Sequence, residues 1–451
     1  MKAPHKYAYW INSSKFSALN KVSNLIFNLI SFILLARLLE PTAFGVWGLF
    51  ITISATIYTA RVSLIRSAFI RFMNQAGKDE HRNLQASALA ISLCISLFFS
   101  LAFLLLAPHI AVWLNAPGLD TILYWYSFTM LINTIASQCE MSLTATANFK
   151  AVSYMYLARQ GFMFLVIVIH WVFSLDFTPT TLSVYYLFSI VASTLTGLYL
   201  AKSILQLTLD NYRKWLPELW KFGRFVFGTN ISAQLFRSGD SFITSAMISP
   251  AVSAFYSASN RISNLIDMPS NILADVAFNK AAQLDNQNKA SVKNMYEKTT
   301  GAILVFSFPA LIIILLFPEL ILRILAGQAF VGAAPILRIT AFFGFVLPFL
   351  KQYGTIMDAT GYPQINFRTN LLSCVLNIIF NVVCITYFGF IGAAVGTAIT
   401  YFCTFCITQR ILYRKFGISF LQVLTNTFNF YVLFIGIGRR YVTGRPVIKA
   451  R

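Results

Sequence analysis

The sequence predicts an all-α membrane protein that crosses the bilayer many times. Hydrophobic residues make up 57% of the 451 positions and charged residues only 11%, whereas soluble domains carry charge at about 25% of positions. The mean hydropathy is +0.67, and apolar runs of about 20 residues, the length that a spanning helix needs, recur along the chain. This composition excludes a secreted protein, a soluble enzyme and a disordered chain.

The apolar runs form two series of six, which predicts twelve spanning helices. The first series lies at about 16–39, 44–66, 85–107, 119–141, 151–173 and 181–203. The second series lies at about 220–247, 251–276, 297–317, 333–356, 365–388 and 390–410. We therefore expect an N-terminal six-helix lobe at 1–203, a cytoplasmic linker at 204–219 and a C-terminal six-helix lobe at 220–410.

Residues 411–451 hold a basic connector, an extra hydrophobic segment and a basic tail. If the run at 420–438 spans the membrane, the tail lies on the outer side, against the charge rule. We therefore prefer an interfacial or re-entrant segment, and a thirteenth span is the alternative.

The basic charge of the chain predicts its orientation. Lys and Arg number 35 against 15 Asp and Glu, a net charge of +20. These cations cluster in the loops on the side of the N-terminus, whereas the opposite loops hold Arg323 alone. Because basic residues accumulate in cytoplasmic loops, we expect a cytoplasmic N-terminus and no nucleic-acid partner.

The two halves of the chain resemble each other. Residues 41–47, Pro-Thr-Ala-Phe-Gly-Val-Trp, follow the first run, and residues 250–256, Pro-Ala-Val-Ser-Ala-Phe-Tyr, follow the seventh. Leu-Leu-Ala-Pro108 likewise matches Leu-Leu-Phe-Pro318, and Ala-Thr-Ala147 matches Ala-Thr-Gly361. Since each half has an even number of spans, the repeats are parallel and related by a pseudo-two-fold axis, an arrangement typical of transporters.

Two stretches carry a resemblance to a known family. Residues 34–47, Leu-Leu-Ala-Arg-Leu-Leu-Glu-Pro-Thr-Ala-Phe-Gly-Val-Trp, resemble the first-span signature of polysaccharide flippases. Residues 359–363 with Asn370, Asn377 and Asn381, and then residues 388–397, resemble spans 11 and 12 of the same family. The family belongs to the MATE-like superfamily of multidrug, oligosaccharidyl-lipid and polysaccharide exporters.

This resemblance implies a MATE-like fold of two lobes and a flippase function. The cargo would be a polyprenyl-pyrophosphate-linked oligosaccharide, such as an O-antigen, capsule or exopolysaccharide repeat unit, moved from the inner to the outer leaflet by alternating access. The resemblance also implies a multi-pass protein of the bacterial cytoplasmic (inner) membrane. Its expected partners are membrane lipid, H⁺ or Na⁺, a polysaccharide polymerase and a chain-length regulator.

Charged side chains inside the predicted spans are the candidate site residues, because charge within a bilayer is costly. Guanidinium groups bind phosphate through paired hydrogen bonds, so cations in a wet cavity would hold an anionic headgroup. For Arg61 and Lys351, snorkelling to the interface is an equal alternative. The predicted substrate-binding residues are Arg61, Arg159, Arg237, Arg261 and Lys351.

Asp240 follows Arg237 by three residues and shares its helix face. We expect it to neutralise Arg237, and a coupling site for a proton or a sodium ion is the alternative. Six cysteines lie in apolar runs, where they suit packing, and the sequence predicts no metal, no cofactor and no enzyme.

Three other functions compete with the glycan flippase. An ion-coupled multidrug exporter of the MATE type would favour acidic residues in its cavity, whereas the charges within these spans are mainly basic. A flippase for a peptidoglycan lipid precursor would have similar lobes. A polysaccharide polymerase or glycosyltransferase would need a large loop carrying acids or bases, which the predicted loops do not provide.

Overall fold

A computed structural model describes residues 23, 26–77, 80–205, 208, 212–266 and 289–442. Within these ranges the chain forms α-helices and short 3-10 turns, and no strand. The all-α prediction is therefore confirmed. Parts of the predicted runs at 16–39 and 251–276, and the basic tail from residue 443, lie outside the described residues.

The first helices follow the predicted apolar runs, although several extend beyond them. They are α1 (Ile26–Leu38), α2 (Pro41–Gln75), α3 (His81–Trp113), α4 (Leu119–Ala145), α5 (Phe149–Phe173), α6 (Pro179–Ala201) and α7 (Leu216–Met247). A 3-10 turn at Tyr212–Trp215 leads into α7.

The later helices follow the second series of runs. They are α8 (Pro250–Ile266), α9 (Lys289–Leu316), α10 (Pro318–Leu325), α11 (Ala334–Ala341), α12 (Phe343–Ala359), α13 (Pro363–Phe388), α14 (Gly392–Phe416) and α15 (Phe420–Val442). The predicted run at 333–356 is split between α11 and α12. A 3-10 turn at Gln328–Ala333 precedes α11, and this segment meets α12 at a bend of 42°.

By length and composition, six described helical segments could cross a membrane, or seven if the bent pair counts as one span. One of these segments, Pro363–Phe416, contains both α13 and α14. The chain is a multi-pass membrane protein.

The extra hydrophobic segment forms the continuous helix α15, which lies alongside α9. The backbone N–H of Ser419 donates to Glu297 Oε1 over 3.1 Å, and the hydroxyl of Tyr431 donates to the carbonyl of Val305 over 2.8 Å. The two contacts advance together along both helices, so α15 runs parallel to α9 for at least two turns. By length and composition α15 is not among the candidate spans, so the preferred interfacial or re-entrant segment and the alternative of a thirteenth span both stay predictions.

The helices separate into two compact units. One contains Met1–Ala254 with Leu325–Ala329, and the other contains Phe255–Ile324 with Phe330–Arg451. In the first unit, an apolar cluster that includes Leu64, Phe69 and Leu84 joins α2 to α3, α4 and α7. In the second unit, a cluster that includes Tyr296 and Phe349 joins α9 to α12, α14 and α15. The predicted lobe boundaries at 203 and 220 remain a prediction.

Two of the three sequence matches between the halves coincide in secondary structure. Both α2 and α8 begin at the matched prolines, Pro41 and Pro250, as expected because proline suits the first helical position. Both α4 and α12 end at the alanine of the matched Ala-Thr pairs. The third match differs, since α3 continues through Pro108, whereas α9 ends at Leu316 and Pro318 begins α10.

The end of the linker is attached to the connection between α2 and α3. Glu80 forms an ion pair with Lys214, and its second carboxylate oxygen accepts a hydrogen bond of 2.8 Å from the indole of Trp215. These contacts position the residues from which α7 begins.

Candidate functional site

Arg61 lies on α2 with its guanidinium turned into the first unit. The residue is 2% exposed, and its terminal nitrogens donate to hydroxyl and carbonyl oxygens of α3 and α4. These partners are Ser96 Oγ (2.9 Å), Thr134 Oγ1 (2.6 Å), Met130 O (3.3 Å), Ser137 Oγ (2.8 Å) and Asn133 O (3.4 Å). The side chain therefore links three helices.

These contacts bear on the roles that the sequence left open for Arg61. The guanidinium does not snorkel, and its exposed surface is too small for a ligand to reach in this conformation. Because a charge inside a bilayer must be hydrogen-bonded to be tolerated, the surrounding hydroxyls explain its position. The contacts favour a structural role, and substrate binding by Arg61 remains a prediction.

Glu140 lies on α4, one turn beyond Ser137, and is 8% exposed. Its Oε1 lies 2.8 Å from Nη1 of Arg66 and accepts a hydrogen bond of 2.9 Å from the hydroxyl of Tyr156. Its Oε2 accepts a longer bond of 3.4 Å from the hydroxyl of Tyr58. The carboxylate is thus held by α2 and α5 together.

Arg159 lies on α5 and approaches the same place. Its guanidinium carbon is 5.3 Å from the ring centroid of Tyr156, a cation–π contact. The residue is half-buried, and none of the described residues forms a hydrogen bond or an ion pair with it. Arg159 therefore keeps its hydrogen-bond donors for water or for a ligand.

The helical repeat explains how these side chains share a face. Tyr58 and Arg61 are three residues apart on α2, and Tyr156 and Arg159 are three residues apart on α5. Residues at this spacing lie on one side of a helix, and Arg61 packs against Tyr58 with 5.8 Å between guanidinium carbon and ring centroid. We call the group the arginine–tyrosine cluster; its members are Tyr58, Arg61, Arg66, Glu140, Tyr156 and Arg159.

The cluster has the chemistry of an anion site with aromatic walls. Its three guanidinium groups and single carboxylate leave a formal charge of +2. Guanidinium groups suit phosphate oxygens, and tyrosine rings offer apolar faces with a polar edge. Such a site can hold a phosphorylated headgroup and contact an attached sugar.

Arg237 and Asp240 lie on α7 of the first unit. Arg237 is exposed and donates a hydrogen bond of 3.1 Å to Oε1 of Gln234 on the same helix. Asp240 is 4% exposed, and its backbone carbonyl accepts a hydrogen bond from the hydroxyl of Thr244. Their assignment to substrate and to a coupling ion remains a prediction.

Arg261 and Lys351 lie in the second unit, on α8 and α12. Arg261 is exposed and Lys351 is half-buried. Of the predicted cations, the structure brings Arg61 and Arg159 into one cluster.

Glu140, Arg66, Tyr58 and Tyr156 are not among the site residues that the sequence predicts. A signal for Glu140 was present, because Asp120 and Glu140 are the two acidic residues between positions 81 and 175. Asp120 lies in the first turn of α4, whereas Glu140 is buried near its other end. Among the described residues, no group of three His, Cys, Asp or Glu side chains could hold a metal ion.

Known proteins give a consistent classification. Residues 34–335 match the family described as "Polysaccharide biosynthesis protein". A "Probable low-salt glycan biosynthesis flippase Agl15" of Haloferax volcanii is 24% identical over 207 residues, which cover 46% of this chain and 43% of that protein. A "Probable flippase AglR" of the same organism is 21% identical over 392 residues, 85% of this chain and 80% of that protein.

The chain spans less than half of the length of Agl15, and 29% of an uncharacterised membrane protein of Methanocaldococcus jannaschii that is 32% identical over 146 residues. Sequence identity with AglR extends much further along both proteins.

Solved structures share the fold. An inward-facing multidrug resistance MATE transporter superposes with a TM-score of 0.76 at 16% identity, covering 87% of this chain and 94% of that one. The lipid II flippase MurJ, in an inward closed conformation, superposes with a TM-score of 0.73 at 14% identity, covering 97% and 94%. At these identities the likeness shows the MATE-like fold, which confirms the expected architecture.

Proposed function

This chain belongs to the polysaccharide biosynthesis protein family, and from that premise we propose that it flips a polyprenyl-pyrophosphate-linked oligosaccharide across a membrane. O-antigen, capsule and exopolysaccharide repeat units are the proposed cargo, and alternating access of the two lobes is the proposed mechanism. Agl15, named as a probable flippase of low-salt glycan biosynthesis, and AglR, named as a probable flippase, support this assignment.

The arginine–tyrosine cluster is the observation that carries the proposal. A pyrophosphate diester keeps one negative charge on each of its two phosphoryl groups, and the cluster offers two guanidinium groups within reach of a ligand, those of Arg66 and Arg159, in surroundings of net positive charge. Arg159 is the primary contact, because its donors are not engaged by any described residue. The rings of Tyr58 and Tyr156 would flank the first sugar.

The same charge disfavours a cationic drug as the cargo. A drug cation would be repelled by the net positive charge of the cluster and would have to compete with Arg66 for Glu140. The lipid precursor of peptidoglycan presents the same pyrophosphate chemistry as a glycan repeat unit, so the sugars must distinguish these two cargoes.

The remaining predicted residues keep their proposed roles. Arg237, Arg261 and Lys351 would contact the substrate elsewhere on its path, and Asp240 would bind H⁺ or Na⁺ or neutralise Arg237. We further propose a cytoplasmic N-terminus in a bacterial inner membrane, with a polymerase and a chain-length regulator as partners downstream.

Flipping of a labelled substrate tests the function. The protein is reconstituted into liposomes with a fluorescent, short-chain polyprenyl-pyrophosphate oligosaccharide, and membrane-impermeant dithionite quenches the label in the outer leaflet. We expect Arg159→Gln and Arg66→Gln to reduce the flipping rate at least about tenfold. The matched control is Arg323→Gln, which removes an exposed cation on α10.

Wild-type rates in both cluster variants would show that the cluster is not the substrate site. An unlabelled disaccharide–pentapeptide lipid, added as a competitor, separates the peptidoglycan precursor from the glycan cargo. Arg237→Ala and Arg261→Ala in the same assay test the other predicted contacts.

A further inference from the structure

We propose that Glu140 sets a charge threshold for the arginine–tyrosine cluster. It neutralises Arg66 until a ligand with two adjacent negative groups displaces it, so that the site selects a diphosphate over a monophosphate. This inference rests on the proposed function, because it assumes that the cluster receives the phosphorylated headgroup.

Arg66 and Arg159 differ in how available their guanidinium groups are to a ligand. Arg66 is already paired with a carboxylate at 2.8 Å, whereas Arg159 has no hydrogen-bond partner among the described residues. A ligand therefore finds Arg159 available and Arg66 occupied. A single phosphate is satisfied by Arg159 and gains nothing from Arg66 unless it also displaces Glu140.

A diphosphate has a second phosphoryl group to offer. With the first group on Arg159, the second competes with Glu140 as an intramolecular ligand, at a high effective concentration. Phosphoryl oxygens form strong charge-assisted hydrogen bonds with guanidinium groups. The displacement of Glu140 from Arg66 is therefore favourable for the second phosphoryl group of a bound diphosphate. It is unfavourable for a monophosphate, which has no second group.

The structure also holds hydrogen-bond donors for the carboxylate of Glu140 once Arg66 no longer pairs with it. Glu140 is buried, and an isolated buried carboxylate would be costly. The hydroxyls of Tyr156 and Tyr58 donate to its two oxygens at 2.9 and 3.4 Å. These two donors can retain the carboxylate after Arg66 leaves it, which makes the exchange feasible without unfolding the helix contacts.

Binding of two simple probes tests the threshold. Geranyl pyrophosphate and geranyl monophosphate are titrated against the full chain in lipid nanodiscs by isothermal calorimetry. We expect the wild type to prefer the diphosphate by about tenfold or more, a difference of about 1.4 kcal/mol. Glu140→Gln keeps the size of the side chain and removes its charge, so the affinity for the monophosphate should rise about tenfold.

Arg66→Gln should also abolish the preference for the diphosphate, but by weakening diphosphate binding and not by strengthening monophosphate binding. It removes the guanidinium group for which Glu140 and the second phosphoryl group compete. The diphosphate affinity should therefore fall about tenfold, and the monophosphate affinity should not change. This variant keeps the test decisive if Glu140→Gln does not fold. Glu297→Gln is the matched control, because Glu297 is a buried glutamate on α9, outside the cluster, and is 4% exposed.

The outcomes separate the two proposals. If Arg159→Gln leaves the binding of both probes intact, the cluster is not the headgroup site, and the proposed function loses its main structural support. If Arg159→Gln weakens both probes while Glu140→Gln leaves the monophosphate affinity unchanged or lowers it, the threshold is overturned and the headgroup site stands. Equal wild-type affinity for the two probes also overturns the threshold.

Discussion

Ala147 and Gly361 occupy the same place in the two halves of the chain. Each follows the threonine that caps the end of a helix, α4 or α12, and each has a left-handed backbone with φ of 56° and 83°. The hydroxyls of Thr146 and Thr360 both donate to the carbonyl four residues earlier. The repeat therefore extends to the backbone conformation of a helix terminus.

This relationship predicts opposite effects of exchanging alanine and glycine. A left-handed conformation costs a residue with a β-carbon about 1 kcal/mol relative to glycine. Ala147→Gly should therefore raise the free energy of unfolding by up to about 1 kcal/mol, and Gly361→Ala should lower it by a similar amount. A β-carbon at Gly361 would contact nothing within 4 Å, so the second effect isolates backbone strain.

Unfolding by SDS in mixed micelles, followed by tryptophan fluorescence, measures both changes. The two variants should shift the midpoint in opposite directions. Shifts of the same sign would contradict the assignment of equivalent left-handed positions.

The positions of the helices along the chain were predictable, because runs of apolar residues mark the segments that lie in an apolar environment. The hydropathy pattern also located Arg61 and Arg159 within predicted spans, with snorkelling to the interface as an equal alternative for Arg61. Hydropathy does not report how each helix is rotated about its axis, since that depends on packing against neighbours. The pairing of Arg66 with Glu140 joins residues 74 positions apart, so no local pattern could have indicated it.

The role of Arg61 likewise depends on helix packing and could not be predicted from hydropathy. The sequence left snorkelling and substrate contact as alternatives, and the observed hydrogen bonds to α3 and α4 favour a third role. Ser96 lies in an apolar run, and Thr134 and Ser137 lie in the more polar stretch at 133–140. Their common hydrogen-bond partner becomes apparent only when the three helices are packed together.

The close approach of α2 and α7 predicts the effect of enlarging one glycine. A β-carbon on Gly223 would lie 1.7 Å from the carbonyl oxygen of Leu64, so the two helices would have to separate. Gly223→Ala should lower the free energy of unfolding by about 1–3 kcal/mol. SDS unfolding measures the loss.

Gly161 on α5 is the matched control for this substitution. Its β-carbon would meet nothing within 4 Å, and alanine is favoured over glycine in a helix by roughly 0.5–1 kcal/mol. Gly161→Ala should therefore stabilise the protein. A Gly223→Ala protein as stable as the wild type would show that α2 and α7 do not pack as closely as described.

The attachment of the linker predicts a pH dependence. The hydrogen bond from Lys214 lowers the pKa of Glu80 below its ordinary value, and the indole of Trp215 acts in the same direction. The ionised carboxylate is therefore favoured in the folded protein. Its contribution to stability is fully present above the ordinary glutamate pKa of about 4.3 and is lost as the pH falls through the lowered pKa.

Tryptophan fluorescence between pH 7 and pH 3 should follow this loss through Trp215. We expect the wild type to show an acid transition that is absent from Glu80→Gln, whose side chain does not titrate. Trp215→Phe removes the indole donor and should remove the signal while leaving the ion pair. An identical transition in Glu80→Gln would assign the titration to another group.

Arg61 and Arg159 should separate stability from transport. Arg61→Leu removes five hydrogen bonds, although Thr134 and Ser137 keep bonds to their own helix at 2.9 and 2.8 Å. Since a hydrogen bond to a charged group contributes about 1.5–3 kcal/mol, we expect the free energy of unfolding to fall by about 2–3 kcal/mol. Arg159→Gln removes no observed hydrogen bond, so its stability should change by less than about 1 kcal/mol.

SDS unfolding and the dithionite assay on the same preparations measure the two effects. The expected pattern is an unstable Arg61→Leu protein, whose folded fraction retains flipping, and a stable Arg159→Gln protein that does not flip. The contrast is sharp because both substitutions remove one guanidinium from the same cluster. If Arg159→Gln destabilises the protein as much as Arg61→Leu does, Arg159 is part of the helix packing and its donors are not reserved for a ligand.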